Sequence, residues 1–316
     1  MRIVLTGGVG FIGYHVSRAL LDRGDEVVVL DDFSDAPYPR AEKRTNESDL
    51  RRDFPQACTV VEGCITDVAR LDAVVPGADA VIHLAGLAGV RPSFADPSRY
   101  AQVNVEGTSR VLDAVRRHGI RRFVFASSSS VYGDATPLPA HEDAVAVAPE
   151  SPYAASKRAA ELLTQATAKS MPGIACTALR FFTVYGPRQR PEMAITKFAR
   201  ALLRDEPFEM FGDGSMRRDF THVSDIVRGI LLALERAPAQ YRAYNLGSGR
   251  PITLRHLIER LEAAAGQSAK VLPADKPLGD VEATFADISR AKEELGWEPQ
   301  IELEPGLRTV IDSLRS

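Results

Sequence analysis

The chain has 316 residues, with 39 lysines and arginines against 42 aspartates and glutamates, a formal net charge of −3. Hydrophobic residues make up 45% and charged residues 26%, which excludes a disordered or fibrous chain and suits one large domain or two sharing an interface. The near-balance of charge argues against a surface that neutralises many nucleic-acid phosphates, yet leaves room for a local basic pocket.

Ile3-Val4-Leu5 is a short apolar run, followed by glycine-rich sequence and then 11–23 with helical periodicity. A second β-branched run, 26–30, ends at Asp31. The polar stretch 31–48 holds two prolines and is expected to be a long loop. The pattern then repeats: strand 59–61, helix from Asp67, strand 80–84, helix about 98–118, strand 122–126. A helix is predicted over 153–170, opened by Ser151-Pro152, and a strand over 175–180. Continuous apolar strands alternating with amphipathic helices predict an α/β protein with a Rossmann-type doubly wound parallel sheet. From 181 the segments shorten, with turn clusters at Gly186-Pro187, Gly212-Asp213-Gly214 and Gly247-Ser248-Gly249. The expected division is a dinucleotide-binding domain over 1–180 and a smaller mixed α/β substrate-binding lobe over 181–316. Part of about 216–246 is expected to return to the first domain.

Three cysteines, Cys58, Cys64 and Cys176, form no C-x-x-C pair, and the histidines show no ligand spacing, so no metal is expected. The odd cysteine count and a core strand starting at the first residues predict a cytoplasmic protein with reduced thiols and no targeting peptide. The apolar runs fall short of the ~20 residues of a membrane-spanning helix, so no membrane partner is expected.

Thr6-Gly7-Gly8-Val9-Gly10-Phe11-Ile12-Gly13 sits between the first strand and the first helix. Glycines at 7, 10 and 13 let the backbone turn tightly and approach a pyrophosphate, while the helix N-terminus offers free N–H groups and a positive dipole end. Asp31, ending the second strand, is placed to accept from both ribose hydroxyls and would repel a 2′-phosphate. The cofactor expected is NAD.

Ser127-Ser128-Ser129-Ser130 follows the fifth strand, whose carboxyl end faces the crevice of a parallel sheet. Tyr153 and Lys157 are four apart and share a helix face. A phenol titrates near 10, too high for a base at neutral pH, but a neighbouring ammonium stabilises the phenolate. Ser128, Tyr153 and Lys157 are the candidate catalytic set: Ser128 holds a substrate hydroxyl, Tyr153 takes its proton, and Lys157 tunes Tyr153 and meets the nicotinamide ribose. His222 and Trp297 are expected to be packing residues.

These residues together resemble the extended short-chain dehydrogenase/reductase family, the nucleotide-sugar epimerases and dehydratases. The resemblance spans nearly the whole chain, in TGGVGFIG (6–13), HLAG (83–86), SSSSVYG (127–133), YAASK (153–157), RRDFTHVSDI (217–226) and NLGSG (245–249). Within the family, LRFFTVYGPRQRPEMA (179–194) and HLAGLAGVRPS (83–93) are most similar to UDP-glucuronate 4-epimerases. The resemblance implies cofactor contacts from Gly7, Gly10, Phe11, Ile12, Gly13, Asp31, Asp32, Cys64, Ile65, Leu84, Ala85, Gly86, Asn104, Ser127, Tyr153, Lys157 and Phe181. It implies substrate contacts from Ala88, Ser128, Ser129, Ser130, Tyr153, Thr183, Arg190, Met193, Ala194, Lys197, Phe211, Arg218 and Asp280. Among these, Thr183 and Arg190 would bind a sugar carboxylate, Phe211 would lie near uracil, Arg218 would meet the diphosphate, and Asp280 would accept from the uridine ribose. It also implies a homodimer through helices 98–118 and 153–170. Two positions depart from relatives: Cys64 replaces an aspartate that contacts adenine, and Pro277 stands where galactose-type epimerases carry a phosphate-binding arginine.

The reaction that the resemblance implies is NAD-dependent C4 epimerisation of a UDP-sugar, UDP-glucuronate to UDP-galacturonate, through a transient 4-keto sugar. Tyr153 would be the base, and NAD would stay tightly bound and be regenerated each cycle. A 4,6-dehydratase needs an extra acid and base in the strand-end run, and a decarboxylase of the family carries glutamate before Val-Tyr-Gly. This chain has Ser129 and Ser130 there. The alternatives are a UDP-sugar lyase (a UDP-glucuronate decarboxylase or a sugar dehydratase) or a 4-epimerase of UDP-glucose or UDP-N-acetylglucosamine. A non-catalytic dinucleotide sensor is a third reading, disfavoured because binding alone needs no phenol and amine at this spacing.

Overall fold

Ile3, Val4 and Leu5 are fully buried at the middle of a parallel sheet, as a continuous apolar strand covered on both faces must be. The computed structural model describes residues 1–35, 38–144, 146, 148–275 and 279–315; Pro277 lies outside the described residues. In chain order the first part comprises β1 (Arg2–Thr6), α1 (Phe11–Asp22), β2 (Glu26–Asp31), α2 (Arg40–Asp53), β3 (Cys58–Glu62), α3 (Val68–Val74) and β4 (Ala80–His83). Then come α4 (Val90–Ala95), α5 (Pro97–Tyr100), a π-helical segment (Ala101–Gly107), α6 (Thr108–Arg117), β5 (Arg122–Ser128), α7 (Pro152–Lys169) and β6 (Ala175–Phe181). The remainder comprises β7 (Thr183–Tyr185), α8 (Ala194–Leu203), β8 (Phe208–Phe211), β9 (Arg217–Arg218), β10 (Phe220–His222), α9 (Val223–Arg236) and β11 (Tyr241–Leu246). It ends with β12 (Ile252–Thr253), α10 (Leu254–Ala265), β13 (Val271–Ala274), a second π-helical segment (Ala291–Leu295) and α11 (Leu303–Arg315).

Seven strands form the main sheet in the order β11-β6-β5-β4-β1-β2-β3, every pair parallel. The strand order reverses between β1 and β4, and a ligand crevice is expected at that switch point, outside the carboxyl ends. One core packs α1, α2 and α9 on one face, and a second packs α3, α6 and α7 on the other. A third core joins α8, α10 and α11, with Phe198 stacked on Phe208 at 4.3 Å. Although β11 and α9 come late in the chain, β11 pairs with β6 from Tyr241 to Leu246 and α9 packs against α1.

Two expectations are corrected. The stretch 31–48 is not a long loop, because α2 starts at Arg40. Its buried residues, Lys43, Asn46 and Leu50, have helical spacing, but only one is apolar, so the helix leaves no hydrophobic stripe in the sequence. The single helix over 98–118 is instead α5, the π-helical segment and α6. The acids of RRDFTHVSDI are structural. Asp219 accepts from Ser248, Gly249 and Ala286, while Asp225 accepts from the backbone of Gln300 and Ile301. Trp297 is fully buried and donates to the Asp225 carbonyl, and His222 caps α9.

A buried ion pair locks the strands that end at the crevice. Arg180 on β6 grips Glu161 on α7 with two N–H···O bonds of 2.9 Å. Glu161 also accepts from Ser127 and Arg158, and Arg180 donates to the Tyr132 hydroxyl and the Glu142 carbonyl. Tyr132 in turn donates to Asn245 of β11 at 2.6 Å. Removing one partner strands a buried charge, at a cost of ~3–5 kcal/mol. Glu161→Ala is therefore expected to lower the urea-unfolding free energy by about that much, and Glu161→Met with Arg180→Met by far less. A Glu161→Ala protein within ~1 kcal/mol of wild type would contradict this assignment.

Candidate functional site

A cavity of about 620 Å³ runs along the carboxyl edge of the sheet, from the 7–13 turn to Phe211, Arg218 and Asp280. That size suits small-molecule ligands. Gly7 has φ +74°, and a Cβ there would lie 2.7 Å from the Ala85 nitrogen. A Cβ on Gly13 would lie 2.0 Å from the Gly7 carbonyl oxygen, so α1 can begin this close to β1 only with glycine at both positions. Gly10 is the N-cap of α1 and no side chain caps the helix. Phe11, Ile12 and Gly13 line the cavity at that end, which presents the positive pole of the helix to an anion. The turn fits a pyrophosphate.

Asp31 and Asp32 line the same end. Asp31 is buried, accepts from the Phe33 N–H at 3.0 Å, and pairs with Lys43 at 2.9 Å. Burial pushes its carboxyl up against the opposing pull of Lys43. Lys43 was not foreseen, because the helix that carries it was read as loop. Cys64 and Ile65 also line the cavity, and Thr66 donates to the Cys64 sulfur at 3.1 Å.

Leu84, Ala85, Gly86 and Ala88 follow β4 into the cavity, Ser127 and Ser128 end β5 with Ser129 and Ser130 just beyond, Phe181 ends β6 and Thr183 begins β7. The Ser127 hydroxyl donates to Glu161 at 2.6 Å. Asn104 is buried behind the cavity wall. Its amide donates to the Leu87 carbonyl and to Ser156, and its oxygen accepts from the Leu87 N–H at 2.7 Å. It thus shapes the 84–89 segment from behind.

His83 joins that layer to the glycine turn. The Thr108 hydroxyl donates to the Asn104 carbonyl, so its oxygen accepts from His83 Nε2 at 3.1 Å, and Nδ1 accepts from Thr6 at 2.6 Å. Complete burial pushes the His83 imidazole down to about 3, so it is neutral at physiological pH.

Tyr153 and Lys157 project from α7 into the cavity, beside Ser128. Burial pushes the Tyr153 phenol up, while the Ser128 hydroxyl and the Arg190 guanidinium favour the phenolate. Burial pushes the Lys157 ammonium down to about 8, with Glu161 one turn on opposing the shift. Lys157 Nζ donates to the Ala126 carbonyl at 2.9 Å. Phenol and hydroxyl therefore meet at one point, with the amine one turn further along the same helix, and a phenol so placed can take a proton from a substrate hydroxyl.

At the far end Arg190, Met193, Ala194 and Lys197 come from the loop before α8 and its first turns, with Met193 as N-cap. Arg190 Nη1 is buried with no hydrogen-bond partner among the described residues; Glu192 lies 3.2 Å away but outside hydrogen-bond geometry. Phe211 is half-buried rather than a core aromatic, with Arg91 at 4.3 Å and Lys197 at 5.7 Å from its ring centre. Arg91 pairs with Asp280 at 3.3 Å across the cavity mouth. It lies within HLAGLAGVRPS, yet nothing in its spacing marked it. Arg218 is half-buried and donates to the Arg217 carbonyl.

The model of the NAD dependent epimerase/dehydratase family matches residues 3–247. The chain belongs to this family. A UDP-glucuronate 4-epimerase of Thermodesulfobacterium geofontis is 38% identical over 312 residues, 98% of this chain and 94% of the relative. The structure of a UDP-glucuronic acid 4-epimerase from Bacillus cereus, in complex with UDP-glucuronic acid and NAD, is similar with TM-score 0.92 and 34% identity. The match covers 100% of this chain and 99% of that one. A dTDP-glucose 4,6-dehydratase from Streptomyces venezuelae is similar with TM-score 0.91 and 32% identity, covering 100% and 97%.

Tyr153→Phe removes only the hydroxyl at the meeting point. Turnover is expected to fall by roughly 10²–10⁴-fold while nucleotide bound to the purified protein is unchanged. Undiminished turnover would remove Tyr153 from the chemistry.

Proposed function

We propose that this protein interconverts UDP-glucuronate and UDP-galacturonate at sugar C4. The observation that carries the reading is the Arg190 guanidinium in the cavity that holds Tyr153 and Ser128, its Nη1 buried and making no hydrogen bond among the described residues. The only carboxylate near that nitrogen among those residues is the exposed Glu192, 3.2 Å away and outside hydrogen-bond geometry, whereas a sugar carboxylate offers a charge-assisted, bidentate match. The 7–13 turn and Asp31 hold NAD, and the lobe from β7 onward holds the UDP-sugar. Bound NAD supplies the hydride acceptor and donor at C4.

Ser128 holds the C4 hydroxyl and Tyr153 takes its proton, and both reverse their roles when the hydroxyl is restored. Lys157 stabilises the phenolate. Met193 to Lys197 and Arg218 meet the diphosphate, Phe211 packs near the base, and Asp280 accepts from the ribose. The 4-keto uronate is a β-keto acid that loses CO2 when its carboxylate turns perpendicular to the ketone. Thr183, Arg190 and the Ser129 and Ser130 hydroxyls hold the carboxylate out of that orientation. The serines also supply no second acid and base for dehydration. Proton NMR of UDP-glucuronate with the purified protein and no added NAD is expected to show UDP-galacturonate growing to an equilibrium mixture. UDP-xylose or a 4-keto pentose as main product, or epimerisation of UDP-glucose alone, would overturn the reading.

The protein is further proposed to be a homodimer through α7 and the helical run 97–117. On α7, Leu162 is 49% and Leu163 36% exposed, beside exposed Ala155. Such apolar residues on one helix suit a four-helix bundle between two copies. Leu162→Asp is expected to halve the mass seen by light scattering, and an unchanged mass would exclude this face.

A further inference from the structure

We propose that Arg188 is a positioning residue that ties the sugar-facing loop to the dinucleotide half of the molecule. The inference rests on the proposed role of Arg190. Arg188 has φ +64°, in the left-handed region that costs a non-glycine residue free energy, so its surroundings must hold it there. Its guanidinium bonds Asn46 Oδ1, pairs with Asp49 at 2.6 Å, and lies over the Tyr14 ring at 4.1 Å. The carbonyl of the preceding Pro187 accepts from His15 Nε2 at 2.9 Å.

Those four partners belong to the cofactor half. Tyr14 and His15 stand on α1, which begins at the glycine turn. Asn46, 1% exposed, donates its amide to the Val9 carbonyl within that turn at 2.8 Å. One turn earlier on α2, Lys43 grips Asp31. On the other side of Arg188 the chain has little slack. Gln189 is buried, donating to the Val184 carbonyl and accepting from Thr196, both at 2.8 Å. Arg190 follows directly. The clamp at 188 therefore sets where the Arg190 guanidinium stands relative to Tyr153, and does so only when the glycine turn and α2 are in place. No atom of Arg188 itself lines the cavity.

Misplacing a recognition group by about 1 Å costs up to ~10²-fold. A slack Arg190 would also free the carboxylate of the 4-keto intermediate. The C5–C6 bond then breaks, its electron pair forms the enolate of the C4 ketone, and CO2 leaves. The test follows UDP-glucuronate by NMR for wild type and for Arg188→Ala, Asp49→Ala, Arg188→Lys and Arg190→Ala, with bound NAD and melting temperature measured for each. Arg188→Ala and Asp49→Ala are expected to raise KM roughly ten- to hundredfold, with smaller changes in kcat and unchanged NAD content. Both should divert part of each turnover to UDP-4-keto-pentose, and Arg188→Lys should recover part of the loss. Asp49→Ala leaves the loop sequence intact and serves as the readout should Arg188→Ala fail to fold. Unchanged KM and product ratio in folded Arg188→Ala or Asp49→Ala would overturn the proposal. Wild type that does not epimerise UDP-glucuronate, or Arg190→Ala with unaltered KM, would instead remove the reading on which it rests.

Discussion

Glu161 and Arg180 are both almost fully excluded from water, and burying two charges costs several kcal/mol each before any attraction is counted. The cost is offset because nearly every lone pair and N–H of the pair has a partner, from Ser127, Arg158, Tyr132 and the Glu142 carbonyl. An apolar pair in the same place would pack equally well at more than one register. The bidentate pair does not, since a slip of α7 against β6 breaks two bonds and strands two charges. Each segment at the crevice leaves the network within a few residues. Ser128 follows Ser127, Lys157 precedes Glu161 by one turn, and Phe181 follows Arg180. The geometry at Tyr153 is thus set from behind, by a buried polar network.

The electrostatics at the front are equally local. A chain of net charge −3 has no global field to draw in a diphosphate and a carboxylate. Positive potential is supplied where α1 and α8 begin, at Arg190, and at Lys157. Lysine rather than arginine at 157 matters physically. An ammonium lowered by burial to about 8 stays charged at neutral pH while lying near enough to its titration to respond to its surroundings; a guanidinium would not. The same burial raises Tyr153, so the phenol becomes a base only as far as the Ser128 hydroxyl and the Arg190 guanidinium offset that burial.

The glycine turn, the first six strands of the sheet and the Tyr153–Lys157 pair were legible because each leaves a local signal: glycines where a Cβ would strike backbone, unbroken apolar runs, a four-residue spacing. α2 left none, since its buried face is Lys43, Asn46 and Leu50, and a polar face gives no hydrophobic period. Lys43, Asn46 and Asp49 were invisible with it. The depth of Asn104, buried in a π-helical segment, does not follow from sequence spacing. Phe211 was ambiguous for a different reason. An aromatic on a short strand reads as core until its neighbours are known, and here those are two cations, one of them supplied by α4 from the other half of the chain.

Overall similarity does not select the reaction. The Bacillus epimerase and the Streptomyces dehydratase resemble this chain almost equally, with TM-scores of 0.92 and 0.91. Fold and cofactor turn are common property, and specificity belongs to residues placed on them. The selection has to lie at the carboxyl end of β5, where a 4-keto sugar would meet either carboxylates or hydroxyls. Hydroxyls at Ser129 and Ser130 can accept and donate hydrogen bonds but cannot hold a proton in reserve near neutral pH, so elimination lacks both its base and its acid. With Arg190 lining the same cavity, the chemistry left to such a site is to hold a carboxylate still while the ketone is reduced from its other face.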